Sequence, residues 1–448
     1  MNLKRFRLLA FFSVTALSVT AGCGPPMAQC EPGGDGSGIQ TTDEPQYLDF
    51  VLQFPGLFDN STGDGAGDPA QIHAVIDAGV AGLISRIGAT GNGKTRQLGF
   101  HYAVPIWAME GQYPGKTAHI IQQSFQVARE RNIAVHLSLE THYFWDTRPD
   151  LFNYFAPSDP SYHPNNTANV EWSDWQGTPN RHRYVNHGTP VELAPHMCYL
   201  SAKIQSEVSR LGRLIGSAVK TELDTLAAAG KSQLFSGVTV TSEPSLDNYT
   251  DIDSVDPEMG NFMAKAGEPK VRLGYCSFTA LGYSAANPPP DLAAAAAAVN
   301  QKWVASWATA FAGSGIPTNR LYTHIAAAGG APTDKPYYFL NAPIEIAFVA
   351  SSRPGWTTYP VNSLTDNFDV LYGPLQANGS PHWASTEGAP LYALTVRPMA
   401  EYLGRHYNHG ATVVVLNDGA TGDLTNLLSQ SVYGCNAIPV YQRFLSGP

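Results

Sequence analysis

Short apolar segments rich in β-branched residues alternate with amphipathic segments along most of the chain. This repeated order of strand, loop and helix predicts an α/β fold, because each helix can cover the apolar faces of the neighbouring strands. Eight strands are predicted, over 48–54, 80–87, 132–140, 236–243, 320–326, 353–360, 380–387 and 411–418. Eight such units in one domain predict a single (β/α)₈ TIM barrel with long inserted loops, and a doubly wound open sheet is the alternative.

The helices between the strands carry recognisable start and stop signals. Asp68 followed by Pro69 is typical of a helix N-cap with proline in the first turn, and this helix is expected to end at Gly79. Further helices are predicted over 116–131, 194–229, 291–312 and 391–408. No internal repeat of about 20–50 residues is visible, which indicates one large domain rather than a repeat array.

The first 22 residues have the pattern of a secretory signal peptide. Three basic residues precede an apolar run over 8–19, which is too short to span a membrane. Thr20, Ala21 and Gly22 before Cys23 resemble the lipobox of bacterial lipoproteins, although Thr20 replaces the usual aliphatic residue. The resemblance implies cleavage before Cys23, lipidation of that cysteine, and a cell-envelope protein whose membrane contact is the lipid alone. Ordinary secretion is the alternative.

Composition and charge limit the location of the folded domain and the classes of partner that the protein can bind. Residues 23–46 are rich in Gly, Pro and polar residues and predict a flexible tether, so the folded domain is expected over 47–448. Only 14% of residues are charged, about half the usual share, and the 42 Gly, 33 Pro, 21 Tyr and 8 Trp are typical of an extracellular protein with long loops. Removing residues 1–22 changes the formal net charge from −10 to −13. An acidic chain of this kind disfavours nucleic acid and other polyanions as partners.

Four cysteines remain in the predicted mature chain beyond Cys23: Cys30, Cys198, Cys276 and Cys435. In an oxidising compartment they can form two disulfides, in three possible pairings that the sequence does not rank. No pair has C-x-x-C spacing, and the histidines lack H-x-H and H-E-x-x-H pairs. No metal and no other cofactor is therefore predicted.

The stretch GATGNGKT, Gly88–Thr95, fits the phosphate-binding pattern G-x-x-x-x-G-K-[ST]. In a nucleotide-binding protein this loop leads into a helix whose N-terminal amides hold the phosphate. Here the following residues, 96–111, contain Gly99, Pro105 and many aromatic residues without helical periodicity. No nucleotide is predicted, and the stretch is expected to be a flexible loop at the barrel mouth.

The carboxyl ends of the predicted strands are where a barrel carries its chemistry. Glu243 ends the fourth strand at a Glu-Pro step, and Glu387 ends the seventh strand. Two carboxyl groups facing each other across the mouth are what glycoside hydrolysis needs. One protonates the leaving oxygen, and the other attacks the anomeric carbon or activates water. Glu140, which ends the third strand, is the main rival for one of these positions.

These residues resemble the sites of clan A retaining glycoside hydrolases, in which an acid/base glutamate ends strand four within Asn-Glu-Pro and the nucleophile ends strand seven. This chain has Ser-Glu-Pro over 242–244 and Thr-Glu-Gly over 386–388, and the segments 274–283 and 354–356 are loosely similar to the β-galactosidase-type members. The resemblance implies retaining double displacement on an extracellular polysaccharide or oligosaccharide, with Glu243 as acid/base and Glu387 as nucleophile.

The same resemblance implies substrate-site residues. Arg86 and Tyr359 match by position the family's arginine and tyrosine that hydrogen-bond the nucleophile, and Ser242 replaces the asparagine that contacts the sugar 2-hydroxyl. Further substrate contacts are expected from strand-end residues and from loop tryptophans that can stack on sugar faces: Glu140, His142, His324, Trp107, Trp145, Trp356 and Trp383. The alternatives are an inverting glycosidase on the same barrel and a non-catalytic glycan-binding lipoprotein whose acids are structural.

Overall fold

The computed structural model describes residues 39–40, 42–54, 57, 68–107, 115–141, 145–186, 189–326, 342–358, 367–389, 391–392, 395–396, 399–417, 425–428 and 437–447. Eight parallel strands form one sheet, and we number them β1 to β8: Gln46–Val51, Arg96–Pro105, Ala134–Glu140, Phe235–Thr239, Leu321–Tyr322, Gly355–Thr357, Trp383–Glu387 and Ala411–Leu416. Their order is β5-β4-β3-β2-β1-β8-β7-β6. Ile325 closes the ring between β5 and β6, because it donates to the Gly355 carbonyl at 3.1 Å and accepts from the Thr357 N–H at 3.0 Å. The predicted (β/α)₈ barrel is confirmed.

Helices surround this barrel, and one further helix, Pro257–Ala266, packs instead on the short strands over 183–186 and 190–193. The helices of nine residues or more in the described chain, α1 to α8, are Pro69–Ile87, Lys116–Arg131, Ala202–Ala228, Pro257–Ala266, Leu292–Gly313, Asn367–Ala377, Met399–Tyr407 and Ile438–Ser446. The helix predicted over 391–408 begins later than expected, at Met399, because 391–392 and 395–396 pair as a short antiparallel ladder. None of the described helices is both long and apolar enough to cross a bilayer.

The first helix runs through the segment that was predicted as the second strand. α1 begins at the predicted N-cap, where the Asp68 side chain accepts the Ala70 N–H at 2.9 Å, and it ends at Gly88 with a φ of 78°. Its buried residues recur at helical spacing: Ile72, Ile76, Val80, Leu83 and Ile87. A short apolar run fits a strand and a buried helix face equally well. The strand predicted over 80–87 is therefore wrong, and the second strand is β2.

This correction moves two predicted mouth features to the other end of the barrel. Because α1 leads into β2, its last turn and the following loop lie at the amino ends of the strands. Arg86 is exposed in that last turn, so the prediction that it contacts a nucleophile at the strands' carboxyl ends is wrong. The loop Gly88–Thr95 is ordered by Asn92, whose Oδ1 accepts the N–H groups of residues 94–96, and it continues into a strand instead of a phosphate-binding helix.

The end of the predicted tether is part of the folded domain. The Ile39 carbonyl accepts a hydrogen bond from Arg96 Nη2 at 3.1 Å. Glu44 forms two hydrogen bonds with the Arg353 guanidinium, at 2.6 and 2.8 Å. These contacts fix the chain against the amino end of the barrel before β1 begins. The predicted signal peptide over 1–22 lies outside the described residues, and so do Cys23 and Cys30.

Two long insertions, one between β3 and α3 and one between β4 and α5, form one side of the barrel mouth. They follow the carboxyl ends of β3 and β4, and the disulfide Cys198–Cys276 joins them with a Cα–Cα distance of 5.8 Å. Arg183 Nε also contacts Asp247 Oδ2 at 2.9 Å, and the Asp247 side chain is fully buried. The disulfide between Cys198 and Cys276 belongs to one of the three pairings that the sequence left open. Cys435 lies outside the described residues.

A buried carboxyl group beside this disulfide predicts a pH dependence of stability. Burial raises the pKa of Glu171 from 4.5 to about 8, against hydrogen bonds from the Ser277 hydroxyl and N–H that lower it. Since the folded pKa exceeds the unfolded one, this stabilisation is complete below about pH 4.5 and is lost as the pH rises through about 8. Between these limits the wild type should lose unfolding free energy on the order of a few kcal/mol. Glu171→Gln should not show this loss, because its side chain does not titrate. Urea unfolding at pH 5 and 8.5 checks this, with exposed Glu192→Gln as control; equal pH slopes for Glu171→Gln and the wild type would contradict it.

Candidate active site

The two glutamates that the sequence paired meet at the carboxyl end of the barrel. Glu243 follows β4 and Glu387 ends β7, with β5 and β6 between them in the ring. His324, which follows β5, reaches into this space. Its Nε2 lies 3.7 Å from Glu243 Oε1 and 3.8 Å from Glu387 Oε2. Both carboxyl groups therefore face one nitrogen, while their catalytic roles stay predictions.

Glu387 is held by the strands on either side of it. Asn417, just beyond β8, donates from Nδ2 to Glu387 Oε1 at 3.1 Å, and its backbone N–H donates to the Gly388 carbonyl at 2.8 Å. Thr358, just beyond β6, donates its backbone N–H to the Glu387 carbonyl at 2.7 Å. The Glu387 side chain is only 13% exposed. Asn417 was not among the predicted site residues, although the alternation of inward-facing residues along β8 points to position 417.

Glu243 occupies a strained place in the backbone. Its φ is 25°, in a region that non-glycine residues rarely adopt and that costs about 1–3 kcal/mol. Two reciprocal hydrogen bonds hold the backbone just before Glu243. The Thr141 N–H donates to Ser242 Oγ at 3.3 Å, and the Ser242 N–H donates to Thr141 Oγ1 at 3.2 Å. This pair joins the ends of β3 and β4, leaves Ser242 buried, and leaves the Glu243 side chain 35% exposed. The sugar contact of Ser242 stays a prediction.

Glu140, at the end of β3, brings a third carboxyl group to the same place. Its Oε2 is buried without a hydrogen-bond partner. Burial raises its pKa to about 7; the charge of His324 and a hydrogen bond from Ser242 oppose this shift, and the charges of Glu387 and Glu243 add to it. Glu140 therefore keeps a proton up to a pH at which an ordinary glutamate is ionised. Its predicted substrate contact remains open.

The predicted sugar-stacking tryptophans are core residues. Trp107, Trp356 and Trp383 are completely buried, and Trp145 is 4% exposed. Each indole N–H donates to a backbone carbonyl, at distances from 2.8 to 3.0 Å. A stacking residue must present a ring face to the substrate, so the prediction is wrong for these four. Their large apolar areas fill the core, a use that the sequence does not distinguish from stacking.

The barrel interior beneath the three glutamates is polar. His101 and His136 are neighbours in register on β2 and β3, and their rings meet edge to face at 5.0 Å. His136 Nδ1 lies 3.3 Å from Asp49 Oδ2, and both side chains are fully buried. Ser236 Oγ donates to the same Asp49 oxygen at 2.7 Å. Gly99 faces Asp49 across the β1–β2 pair, where a Cβ would overlap the carboxylate.

Two predicted site residues, His142 and Tyr359, lie outside the described residues. Within the described part of the chain, no group of three or more His, Cys, Asp or Glu side chains is placed to hold a metal ion. The side chains that meet in the described site are carboxyl groups and an imidazole, which can donate a proton, accept one, and, as carboxylates, attack an electrophilic carbon.

No protein-family model and no curated protein matches this sequence. Among solved structures, the chain is similar to the catalytic domain of a β-amylase from Paenibacillus polymyxa, with 10% identity, a TM-score of 0.45, and coverage of 89% of this chain and 100% of that one. It is also similar to a GH5-4 broad-specificity endoglucanase from an uncultured bacterium (10% identity, TM-score 0.37, coverage 94% and 97%). A hyperthermophilic β-glucosidase mutant gives 11% identity, a TM-score of 0.41, and coverage of 84% and 91%. At such values the likenesses carry no functional conclusion, and the fold rests on the strand topology.

Proposed function

We propose that the protein is a retaining glycoside hydrolase in which Glu387 is the nucleophile and Glu243 the acid/base. The observation that carries the proposal is the convergence of both carboxyl groups on His324 Nε2, at 3.7 and 3.8 Å. The distance between Glu243 Oε1 and Glu387 Oε2 therefore cannot exceed the sum of these two distances. That limit accommodates the separation of about 5–5.5 Å in retaining enzymes and also the lower part of the range of about 6.5–9.5 Å in inverting ones, so the choice of retention rests on the resemblance of Glu243 and Glu387 to the clan A pair.

The surroundings of the two acids support this division of roles. A nucleophile must be ionised, and the Asn417 amide donates to Glu387 Oε1 at 3.1 Å, which favours the carboxylate. An acid/base must meet both the leaving group and the incoming water. Glu243 is the more exposed of the pair, at 35% against 13% for Glu387. Glu243 would protonate the leaving oxygen first and then deprotonate water in the second step.

The substrate we propose is an uncharged polysaccharide or oligosaccharide. The charged groups that act on His324 are the carboxyl groups of Glu243, Glu387 and Glu140. A uronic acid or sulfated sugar would bring a further anion into this acidic space, where repulsion and the loss of hydration both oppose binding. Neutral sugars offer hydroxyl groups, which these carboxyl groups can bind without such repulsion.

The test of the proposal is hydrolysis of a panel of glycans, followed by the configuration of the product. Neutral glucans, mannans and xylans are compared with pectin and alginate by reducing-end release, and ¹H NMR then records the first-formed anomer. We expect hydrolysis of a neutral glycan with retention. Glu243→Gln and Glu387→Gln should bind that glycan in affinity electrophoresis but not hydrolyse it, and the exposed Glu345→Gln should behave as the wild type.

Other outcomes separate the alternatives. An inverted product would favour an inverting enzyme, in which one acid activates water. Binding of a glycan without hydrolysis by the wild type would favour a glycan-binding protein. Normal hydrolysis by both glutamine variants would remove Glu243 and Glu387 from the mechanism and leave Glu140 as the acid to examine.

Asn417 should matter to the rate through its hydrogen bond to Glu387. We expect Asn417→Ala to lower kcat by about 10–100-fold, because a hydrogen bond to a charged group contributes about 1.5–3 kcal/mol. The exposed Asn319→Ala, at the amino end of the barrel, is the matched control. Steady-state kinetics on the glycan from the panel measure both variants. A rise in KM with an unchanged kcat would contradict a role for Asn417 in the chemical step.

We also propose that the protein is exported and anchored by a lipid on Cys23, as the signal peptide and the lipobox-like residues before that cysteine support. In a bacterial host, Cys23→Ser should move the protein from the membrane fraction to the soluble fraction of the envelope. The measurement is fractionation followed by immunoblotting, with Cys30→Ser as the control. Membrane association that survives Cys23→Ser would contradict the lipid anchor.

A further inference from the structure

The imidazole of His324 is buried between the proposed acid/base and the proposed nucleophile. Its side chain is 5% exposed, and neither ring nitrogen has a hydrogen-bond partner within normal distance. A buried polar group without a hydrogen bond is destabilising by about 1–3 kcal/mol. The fold places this ring beside two carboxyl groups in spite of that penalty, so its function must be sought in its charge.

Among the described residues, four titratable groups act on His324: Glu243 after β4, Glu387 on β7, Glu140 on β3 and His101 on β2. Burial lowers the pKa of His324, but the Glu243 carboxyl group 3.7 Å from Nε2, with the charges of Glu387 and Glu140, outweighs burial and raises it. Burial, His136 and His324 hold the pKa of His101 well below its ordinary value. Of His101 and His324, it is therefore His324 that holds a proton more readily.

Building on the proposed glycosidase function, we propose that His324 supplies the proton that Glu243 delivers to the leaving oxygen. The Nε2–H bond of the imidazolium breaks and an O–H bond forms at Glu243 Oε1, which leaves a neutral imidazole and a neutral carboxylic acid. Glu243 then gives this proton to the glycosidic oxygen as the bond to the anomeric carbon breaks. In the second step Glu243 takes a proton from water and returns it to His324, so no net proton is consumed.

The surroundings explain why the proton moves when substrate binds, and why it moves to Glu243. A sugar that fills the mouth displaces water from the Glu243 carboxylate, and an ion pair that loses its hydration is destabilised relative to the neutral pair. Glu387 lies at a similar distance from Nε2, 3.8 Å, but its carboxylate accepts the Asn417 hydrogen bond, which favours its ionised form. The proton therefore goes to Glu243, whose side chain is 35% exposed against 13% for Glu387 and loses more hydration when a sugar fills the mouth.

The first experiment compares leaving groups, since a good leaving group needs no acid. On the aryl glycosides of the sugar identified by the panel, we expect His324→Asn to lower kcat/KM by about 10²-fold with phenol as leaving group and by about 3-fold or less with 2,4-dinitrophenol. The alkaline limb of the kcat/KM profile should also move to lower pH, because the proton is then held by Glu243 alone. Glu243→Gln should show the same dependence on the leaving group, and more strongly. Equal losses on both substrates with an unmoved pH profile would overturn the proposal, because a merely structural role affects both alike.

The second experiment does not depend on turnover, and it does not require the His324→Asn variant to fold. The imidazole pKa of His324 is followed by NMR in the histidine-labelled protein, as wild type and as Glu243→Gln. We expect the substitution to lower that pKa by about one unit, since it removes the carboxylate nearest to Nε2. An unchanged His324 pKa would overturn the proposal. A wild type that hydrolyses no glycan would instead defeat the glycosidase function, so the two failures are distinguishable.

Discussion

Replacement of Glu387 by glutamine should lower kcat by about 10⁴-fold or more, the largest loss of activity that we expect from a single substitution. Glutamine keeps the size of the side chain and can still accept the Asn417 hydrogen bond, which is 3.1 Å long in the wild type. It lacks the negative charge that attacks the anomeric carbon. The variant should therefore fold and bind glycan normally, while the covalent step is lost.

Chemical rescue makes this result specific to a nucleophile. In Glu387→Ala the space left by the side chain admits a small anion, so added azide should restore cleavage of an activated aryl glycoside. The product should be a glycosyl azide of inverted configuration. Exposed Glu345→Gln serves as the control and should need no rescue. An inverted glycosyl azide from Glu243→Ala together with a retained one from Glu387→Ala would exchange the two proposed roles.

Replacement of Gly99 by alanine should produce the largest loss of stability, about 3–5 kcal/mol of unfolding free energy. A Cβ at Gly99 would overlap the Asp49 carboxylate, which is fully buried and paired with His136 at 3.3 Å. The added methyl group must displace the carboxylate or spread β1 from β2. Either change breaks the buried contact between Asp49 and His136 in the middle of the barrel.

A second glycine offers a matched control for this measurement. Gly82 is exposed on α1, and a Cβ there would meet nothing within 4 Å. Alanine favours a helix interior by about 0.5–1 kcal/mol over glycine, so Gly82→Ala should be slightly stabilising. Urea unfolding of both variants at constant m-value provides the comparison. A midpoint for Gly99→Ala equal to that of Gly82→Ala would show that the interior tolerates the extra carbon.

Local signals in the sequence were sufficient for the barrel and for most of its strands, although β4, β5 and β6 end three or four residues earlier than predicted. Seven of the eight predicted strands overlap a barrel strand, because β-branched runs bounded by Gly, Pro and polar residues leave few alternatives. The position of Glu243 could be predicted because the strand pattern breaks at the Glu-Pro step. Glu387 followed from the same reasoning at the end of the seventh strand. Since the carboxyl ends of parallel strands share one face, their placement at the mouth followed from the topology.

The errors have a common physical origin in information that a short segment does not contain. The run over 80–87 is apolar enough for a buried strand, and only its continuity with Ile72 and Ile76 across Gly79 reveals the helical stripe. A tryptophan in a loop has the same sequence signature whether its ring faces solvent or the core. The convergence of His324 on two glutamates depends on the closure of the ring between β5 and β6, which is a property of the whole barrel.

The positive φ of Glu243 has a consequence for anyone who wishes to engineer this barrel. Glycine at that position would relieve the strained backbone, because it adopts φ values near 25° without steric conflict. Folding stability and the proposed chemistry therefore favour different residues at one and the same place. A redesign or library selected for thermal stability alone will enrich the substitution Glu243→Gly and accumulate robust, inert proteins. Screens on this scaffold should hold Glu243 fixed and seek their stabilising substitutions elsewhere.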